Sequence, residues 1–129
     1  MVLEAFDNAG IAVSNVPRAV SFYTEVLGLV DEGHDDDGAS LRLGETTFWI
    51  FRTSGPSAVD RSTDFDANPA GIDHLSFRVS DLDAAIVTLE ERGVRFVGAT
   101  VGEPGQFRYR GFRDPDGTML YVVERASNS

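Results

Sequence analysis

The 129 residues include two histidines and three tyrosines but no cysteine. Imidazole and phenol side chains are therefore candidates for proton transfer. The absence of cysteine excludes disulfides, thiolate metal sites and a cysteine nucleophile. His74 lies in the segment Gly71-Ile72-Asp73-His74-Leu75, at the start of an apolar stretch. An imidazole has an unperturbed pKa of about 6.5, so His74 is suited to exchange protons near neutral pH.

The other histidine, His34, lies in the acidic segment Gly33-His34-Asp35-Asp36-Asp37 between two strand candidates. Such a run of carboxylates is typical of a solvated loop, and this is the interpretation that we favour. A contact with a metal ion or a cationic ligand is the alternative.

The charge balance excludes nucleic acid as a partner. The formal net charge is -10, and the eleven basic residues, all of them arginine, are scattered along the chain. Phosphate binding needs a basic face, which this distribution does not supply. The acidic excess is compatible with a cationic ligand or simply with an acidic surface.

The chain has the composition of a soluble protein, with 42% hydrophobic and 25% charged residues. No apolar run approaches the roughly 20 residues of a membrane-spanning helix. The first ten residues contain Glu4 and Asp7 and lack the basic start and apolar stretch of a secretory signal. We therefore expect a cytoplasmic protein without a membrane partner.

An internal repeat organises the chain. A shift of 66 positions lays Asp7 to Leu27 on Asp73 to the region of Arg92 and Gly93. Each copy contains one amphipathic helix. The first helix has Asn15 and Pro17 at its start and Gly28 after its end. The second is predicted to start at Ser80, with Asp83 three residues on and Gly93 after its end.

Strand candidates surround each helix. One precedes each helix, at residues 4–14 and 71–80, and three follow each helix, at 29–33, 39–43 and 46–52, then at 94–98, 106–113 and 118–124. The turn Asp114-Pro115-Asp116-Gly117 predicts a hairpin between the last two strands. Residues 53–70 have little apolar periodicity and are predicted to form a linker or lid; they contain Gly55, Pro56, Ser57, Ser62, Thr63, Asn68 and Pro69. The expected organisation is module one at 4–52, the linker at 53–70 and module two at 71–125, within one domain.

Four motifs together resemble the glyoxalase, bleomycin-resistance and extradiol dioxygenase (vicinal oxygen chelate) superfamily. They are Phe22-Tyr23 before Leu27-Gly28-Leu29, the Gly71 to Leu75 segment, Val79-Ser80-Asp81-Leu82 and Phe112 to Gly117. The resemblance covers nearly the whole chain. It implies an α+β fold of two βαβββ modules whose curled mixed sheets surround a cleft. Fold does not settle function, which depends on the site.

The resemblance also implies a divalent metal held by two residues from each module, taken from its first and last strands. The first-strand positions are Asn8 and His74. The last-strand positions are Trp49 and Tyr121, with Phe48 the alternative to Trp49 if the register shifts by one residue. Neither an indole nor a neutral amide replaces a carboxylate or imidazole on a divalent ion, so we expect no metal and no cofactor.

Aromatic rings replace the metal ligands at two of these positions. Trp49 and Tyr121 would place rings in the cleft, where a flat ligand can stack on them. Phe107 and Tyr109, alternating on a neighbouring strand, would extend this wall, as would Arg42 or Arg110 if either points inward. The alternative is that these aromatics fill the interior as core. The expected ligand-binding set is Asn8, Trp49, His74, Phe107, Tyr109 and Tyr121.

The superfamily includes metal-free, acidic, dimeric bleomycin-type resistance proteins that sequester a drug without altering it, and the sequence is similar to them. We therefore expect a metal-independent homodimer that sequesters an aromatic or cationic natural product, a role compatible with antibiotic resistance. The alternative is a metal-free isomerase, cyclase or lyase in which His74 and Tyr121 are the catalytic acid-base pair.

Overall fold

The structure is a computed structural model that describes residues 2–126. The chain divides into two compact units, and the boundary falls between Ser57 and Ala58. Each unit contains one four-stranded sheet. Residues 58–70, the second part of the expected linker, lie with the second unit. We call this segment the strap.

The first unit contains β1 (Asn8–Val13), α1 (Val16–Ser21), β2 (Val30–His34), β3 (Gly38–Leu43) and β4 (Thr46–Arg52). The sheet order is β1-β4-β3-β2, with β1 parallel to β4 and the other pairs antiparallel. Because strands alternate their faces, β4 directs Phe48 and Ile50 into the core while Trp49 and Phe51 are exposed. The apolar face of the sheet packs against α1.

The first helix ends in a wide turn. Residues Phe22–Val26 continue α1 as one π-helical turn, in which the Leu27 amide donates to the Phe22 carbonyl at 3.1 Å. The Thr24 hydroxyl also donates to the Val20 carbonyl at 2.7 Å, a side-chain bond that can disturb the regular ladder. Gly28, with φ of 87°, then ends the helix at the predicted position.

The second unit repeats this order after the strap, whose Phe65–Ala67 forms a 3₁₀ turn. Its elements are β5 (Leu75–Arg78), α2 (Leu82–Glu91), β6 (Phe96–Val101), β7 (Arg108–Arg113) and β8 (Met119–Glu124). The sheet order is β5-β8-β7-β6, again with one parallel pair, β5 and β8. The α+β class and the two βαβββ modules are therefore confirmed.

The helix starts follow the repeat. Asn15 caps α1 as predicted, with its side chain accepting from the Arg18 amide at 2.9 Å. The prediction for α2 was wrong by one residue, because Asp81 and not Ser80 is the cap and accepts from the Ala84 amide at 3.1 Å. Asp81 is the residue that the 66-position shift lays on Asn15, so the repeat itself indicated the right position.

The predicted hairpin is confirmed. Asp114 accepts the Gly117 amide at 3.0 Å through its carbonyl, and its carboxylate accepts the amides of Asp116 and Thr118, each at 2.9 Å. The turn fixes the register of β7 against β8, which places Gly111 opposite Tyr121. The hairpin therefore fixes the position of Tyr121 on β8.

Candidate functional site

Tyr121 lies on β8 and is almost completely buried, with 1% of its surface exposed. Its ring lies against Gly111, since a Cβ built on that glycine would be 2.8 Å from Cε1 of the tyrosine. The Tyr121 hydroxyl is buried and has no hydrogen-bond partner among residues 2–126. Burial raises the pKa of Tyr121 above its ordinary value, and the negative charge of Asp73 acts in the same direction. The phenol is therefore held in its neutral form.

His74 lies next to Tyr121, with the two rings edge to face and their centroids 4.5 Å apart. Its Nδ1 is 2.7 Å from Oδ1 of Asp73. This hydrogen bond from His74 lowers the pKa of Asp73 below its ordinary value, and Asn68 and Arg61 add to the effect. Because an ionised carboxylate only accepts hydrogen bonds, Nδ1 carries a proton, and Nε2 is an acceptor whenever the imidazole is neutral.

Asp73 also holds the strap. Its Oδ2 accepts from Asn68 Nδ2 at 2.7 Å and lies 3.5 Å from Nη1 of Arg61. Asn68 Oδ1 in turn accepts from the Ser62 amide at 2.8 Å, and Asn68 Nδ2 donates to the Ser62 carbonyl at 2.9 Å. One carboxylate therefore fixes both the histidine and the segment that runs beside it.

The strap contributes an aromatic ring to this region. Phe65 lies 5.6 Å from His74, 5.8 Å from Tyr121 and 6.1 Å from Tyr109, measured between ring centroids. Tyr109 is also 5.5 Å from Tyr121 and 5.7 Å from Phe107. Such tilted and edge-to-face contacts are favourable arrangements for aromatic pairs.

These rings form the wall of a cavity of about 300 Å³, which we call the aromatic cavity. Its size is at the lower end of the range for small-molecule sites, roughly 300–1,000 Å³. The residues that line it are Phe65, His74, Ser76, Phe107, Tyr109, Tyr121 and Val123.

The aromatic cavity contains four of the six residues that the sequence predicted as ligand-binding: His74, Phe107, Tyr109 and Tyr121. The sequence analysis missed Phe65, Ser76 and Val123. Ser76 and Val123 had a usable signal, because Ser76 is two residues after His74 and Val123 two residues after Tyr121, the spacing at which an extended chain returns to the same face. Phe65 had none, since its segment has no apolar periodicity.

The other two predicted residues, Asn8 and Trp49, belong to the first unit. Trp49 pairs with Gly10 in the parallel ladder just as Tyr121 pairs with Ser76, and Gly10 and Ser76 are 66 positions apart. Trp49 is therefore the counterpart of Tyr121, whereas the alternative, Phe48, is buried on the opposite face. Asn8 is exposed and donates to Asp7 at 2.6 Å.

Trp49 lines an open cleft of about 620 Å³ in the first unit, together with Phe51 and the acidic turn. At the end of β2, before this turn, His34 Nδ1 is 2.6 Å from Oδ2 of Asp31. Asp35 accepts the amides of Asp37 and Gly38, and these bonds lower the pKa of its carboxyl below the ordinary value.

Arg42 and Arg110, considered as possible wall residues, are directed elsewhere. Arg42 bonds to the Glu32 carboxylate at 3.2 Å and to the Gly44 carbonyl at 2.9 Å. Arg110 donates to the Gly98 carbonyl at 2.9 Å and lies over the Phe96 ring. Neither is among the residues lining the cleft or the aromatic cavity, because each guanidinium finds a partner on its own sheet.

The four metal-ligand positions of the resemblance do not fit a divalent ion. They hold an amide at Asn8, an indole at Trp49, a phenol at Tyr121 and a single imidazole at His74. Burial also keeps Tyr121 protonated, which makes it a poor ligand. Within residues 2–126, no three His, Cys, Asp or Glu side chains are grouped so that they could hold a metal. The side chains at these four positions therefore do not form a binding site for a divalent ion.

Comparisons with known proteins agree with this architecture. A model of the Glyoxalase/Bleomycin resistance protein/Dioxygenase superfamily matches residues 5–122. YaeR of Escherichia coli (strain K12), an uncharacterized protein, is 33% identical over 124 residues, covering 89% of this chain and 93% of YaeR. YwkD of Bacillus subtilis (strain 168), also uncharacterized, is 28% identical over 130 residues, covering 97% of this chain and all of YwkD.

Among solved structures, the glyoxalase family protein from Enterococcus faecalis matches with a TM-score of 0.76 at 24% identity, covering 96% of this chain and 100% of that one. The fold and the repeat define a protein built from two glyoxalase-type βαβββ modules. The chain belongs to the Glyoxalase/Bleomycin resistance protein/Dioxygenase superfamily, as the sequence motifs predicted. Among the residues described, no helix is both long and apolar enough to cross a membrane.

Proposed function

We propose that the protein is a metal-independent small-molecule-binding protein that sequesters a planar aromatic natural product in the aromatic cavity. The observation that carries this proposal is the cavity wall, in which rings from the strap, β7 and β8 surround a space of about 300 Å³. Aromatic rings present large apolar surfaces on which a flat molecule stacks.

The lining favours an aromatic ligand over a cationic one. No carboxylate is among the residues that line the aromatic cavity. Phe107 already lies beside the Arg125 guanidinium, 5.5 Å from the ring centroid. A second cation at this wall would meet that positive charge, whereas a neutral ring would not.

Binding of naphthalene to the full chain, compared with its saturated analogue decalin, tests the proposal. We expect naphthalene to bind and to shift the backbone amide resonances of Ser76, Tyr109 and Tyr121, while decalin binds more weakly because it cannot stack. Tyr109→Ala should weaken naphthalene binding by about fivefold or more.

The matched control is Phe6→Ala, which removes an exposed aromatic ring that is not among the cavity-lining residues. It should leave the affinity for naphthalene unchanged. If naphthalene does not bind, or if its affinity is indifferent to Tyr109→Ala, the aromatic cavity is not the binding site and the proposal fails.

A second function, a metal-free acid-base enzyme, is favoured by one specific observation. The Asp73–His74 hydrogen bond of 2.7 Å orients an imidazole in the wall of the cavity, beside a neutral phenol. In such a site His74 accepts a proton through Nε2 and Tyr121 donates one to a developing oxyanion.

Mass spectrometry of compounds recovered from the protein separates the two functions. A panel of aromatic natural products is incubated with the wild type and with His74→Ala. Sequestration predicts that every bound compound is recovered unaltered from both proteins. A compound converted by the wild type but only bound by His74→Ala would establish the enzyme instead.

A further inference from the structure

The Tyr121 hydroxyl can donate and accept a hydrogen bond, but its position in the fold gives it no protein partner among residues 2–126. It is buried on a residue that lines the aromatic cavity, and no group among residues 2–126 bonds to it. Leaving a buried hydroxyl unsatisfied is costly, so such atoms in folded proteins normally have a partner. Since Tyr121 lines the cavity, a molecule bound there is the candidate partner.

His74 offers the complementary group. Asp73 accepts the Nδ1 proton and is itself held by Asn68 and Arg61, so the imidazole is fixed in one tautomer. In the neutral imidazole Nε2 is then an acceptor, and within residues 2–126 the hydrogen bond of the ring is that of Nδ1 to Asp73. The unpartnered Tyr121 hydroxyl and the His74 acceptor therefore belong to neighbouring rings of the cavity wall, whose centroids are 4.5 Å apart.

A ligand hydroxyl matches this pair, because one oxygen can accept one hydrogen bond and donate another. Resting on the proposed function, we propose that the molecule bound in the aromatic cavity is a neutral aromatic compound with a ring hydroxyl, which accepts from the Tyr121 hydroxyl and donates to His74 Nε2. The cavity lining includes no arginine or lysine to neutralise an anion, which favours the neutral form. The apolar remainder of the wall packs against the ring system.

Three probes of similar shape test this assignment on the full chain by isothermal titration calorimetry. They are 2-naphthol, which donates and accepts, 2-methoxynaphthalene, which only accepts, and naphthalene, which does neither. We expect 2-naphthol to bind about tenfold or more tightly than naphthalene, with the methoxy compound between them.

Tyr121→Phe removes the hydroxyl while keeping the ring, and should reduce the preference for 2-naphthol over naphthalene by about tenfold. Because the ring is kept, the preference is measured as the ratio of the two affinities within each variant. Tyr23→Phe makes the same chemical change at a buried residue of the first unit that does not line the aromatic cavity, and it should leave the preference intact.

The outcomes separate this assignment from the proposed function. If all three probes bind the wild type with equal affinity, the cavity binds aromatic molecules but does not select a hydroxyl, and the assignment is overturned while the function stands. If none binds, the function itself fails. A preference for 2-naphthol that survives Tyr121→Phe also overturns the assignment, because another group then recognises the hydroxyl.

Discussion

Gly111 and Tyr121 face each other across the β7–β8 ladder, and the missing side chain of the glycine makes room for the tyrosine ring. A Cβ on Gly111 would lie 2.8 Å from Cε1 of Tyr121 and 2.9 Å from Cε of Met119. Both contacts are too short for real carbon atoms. The glycine therefore sets where the ring, and with it the buried hydroxyl, can lie.

Gly111→Ala should displace the Tyr121 ring and lower the free energy of unfolding by about 1–3 kcal/mol, since inserting a methyl group into a packed interior forces neighbours to move. Chemical denaturation measures this loss, and naphthalene binding should weaken in the same variant. The matched control is Gly10→Ala, where the new Cβ would meet only Phe51 at an ordinary 3.5 Å. Equal stability of the two variants would show that the interior accommodates the added methyl group without displacing the Tyr121 ring.

Tyr121→Phe should stabilise the ligand-free protein, in contrast to its effect on 2-naphthol binding. The substitution removes a buried hydroxyl that has no partner within residues 2–126. We expect the free energy of unfolding to rise by about 1 kcal/mol, at the lower end of the cost of an unsatisfied buried group. Tyr109→Phe, at a partly exposed position, should change stability less. A loss of stability in Tyr121→Phe would mean that the hydroxyl is satisfied in the free protein.

The repeat in the sequence was sufficient to predict much of the fold. The positions of Asn15, Gly28, Gly93 and the Asp114 to Gly117 turn depend on local backbone chemistry, so a single sequence reveals them. The last-strand positions of the family resemblance paired Trp49 with Tyr121, and the strand register agrees.

What the sequence did not reveal depends on contacts between distant residues. Tyr121 is buried while its counterpart Trp49 is 48% exposed, and Phe65 of the strap lies against Tyr121. Phe65 is separated from Tyr121 by more than 50 residues, and its segment has a composition typical of a linker. Neither periodicity nor composition reports such a contact.

The purified protein should contain well under one equivalent of zinc, nickel, manganese or iron per chain. Only one of the four positions taken from the family pattern, His74, carries a good ligand for such ions. Elemental analysis of protein purified without chelators measures the content. One tightly held ion per chain, with ligand binding lost when a chelator removes it, would contradict metal independence.

A homodimer remains a prediction from the resemblance to dimeric resistance proteins, and two-fold pairs are the commonest oligomers. Trp49 and Phe51, at 48% and 47% exposed, form an apolar face on β4 that an association between chains would shield. Light scattering should give a mass of twice 14.0 kDa. A mass of one chain over a range of micromolar concentrations would exclude the dimer.

The stability of the second unit should depend on acid pH through Glu124. Its carboxylate accepts from Arg108 Nε at 2.8 Å and from the Leu82 amide, at the start of α2, at 2.9 Å. The Arg108 bond, followed by the Leu82 bond, lowers the pKa of Glu124 in the folded state below its ordinary value. The folded state therefore holds this proton less tightly than the unfolded state, and stability falls as the pH drops.

The contribution of Glu124 is fully present above the unfolded-state pKa, about 4.3, and is lost as the pH falls through the lower folded-state value. Glu124→Gln should accordingly be less stable than the wild type at pH 7, and the difference should shrink as both proteins are taken below pH 4. Thermal unfolding across this range measures the difference. The control is Glu45→Gln, at an exposed turn position, whose stability should equal that of the wild type at every pH. A gap between Glu124→Gln and the wild type that stays constant with pH would show that the carboxylate acts through its shape and not through its charge.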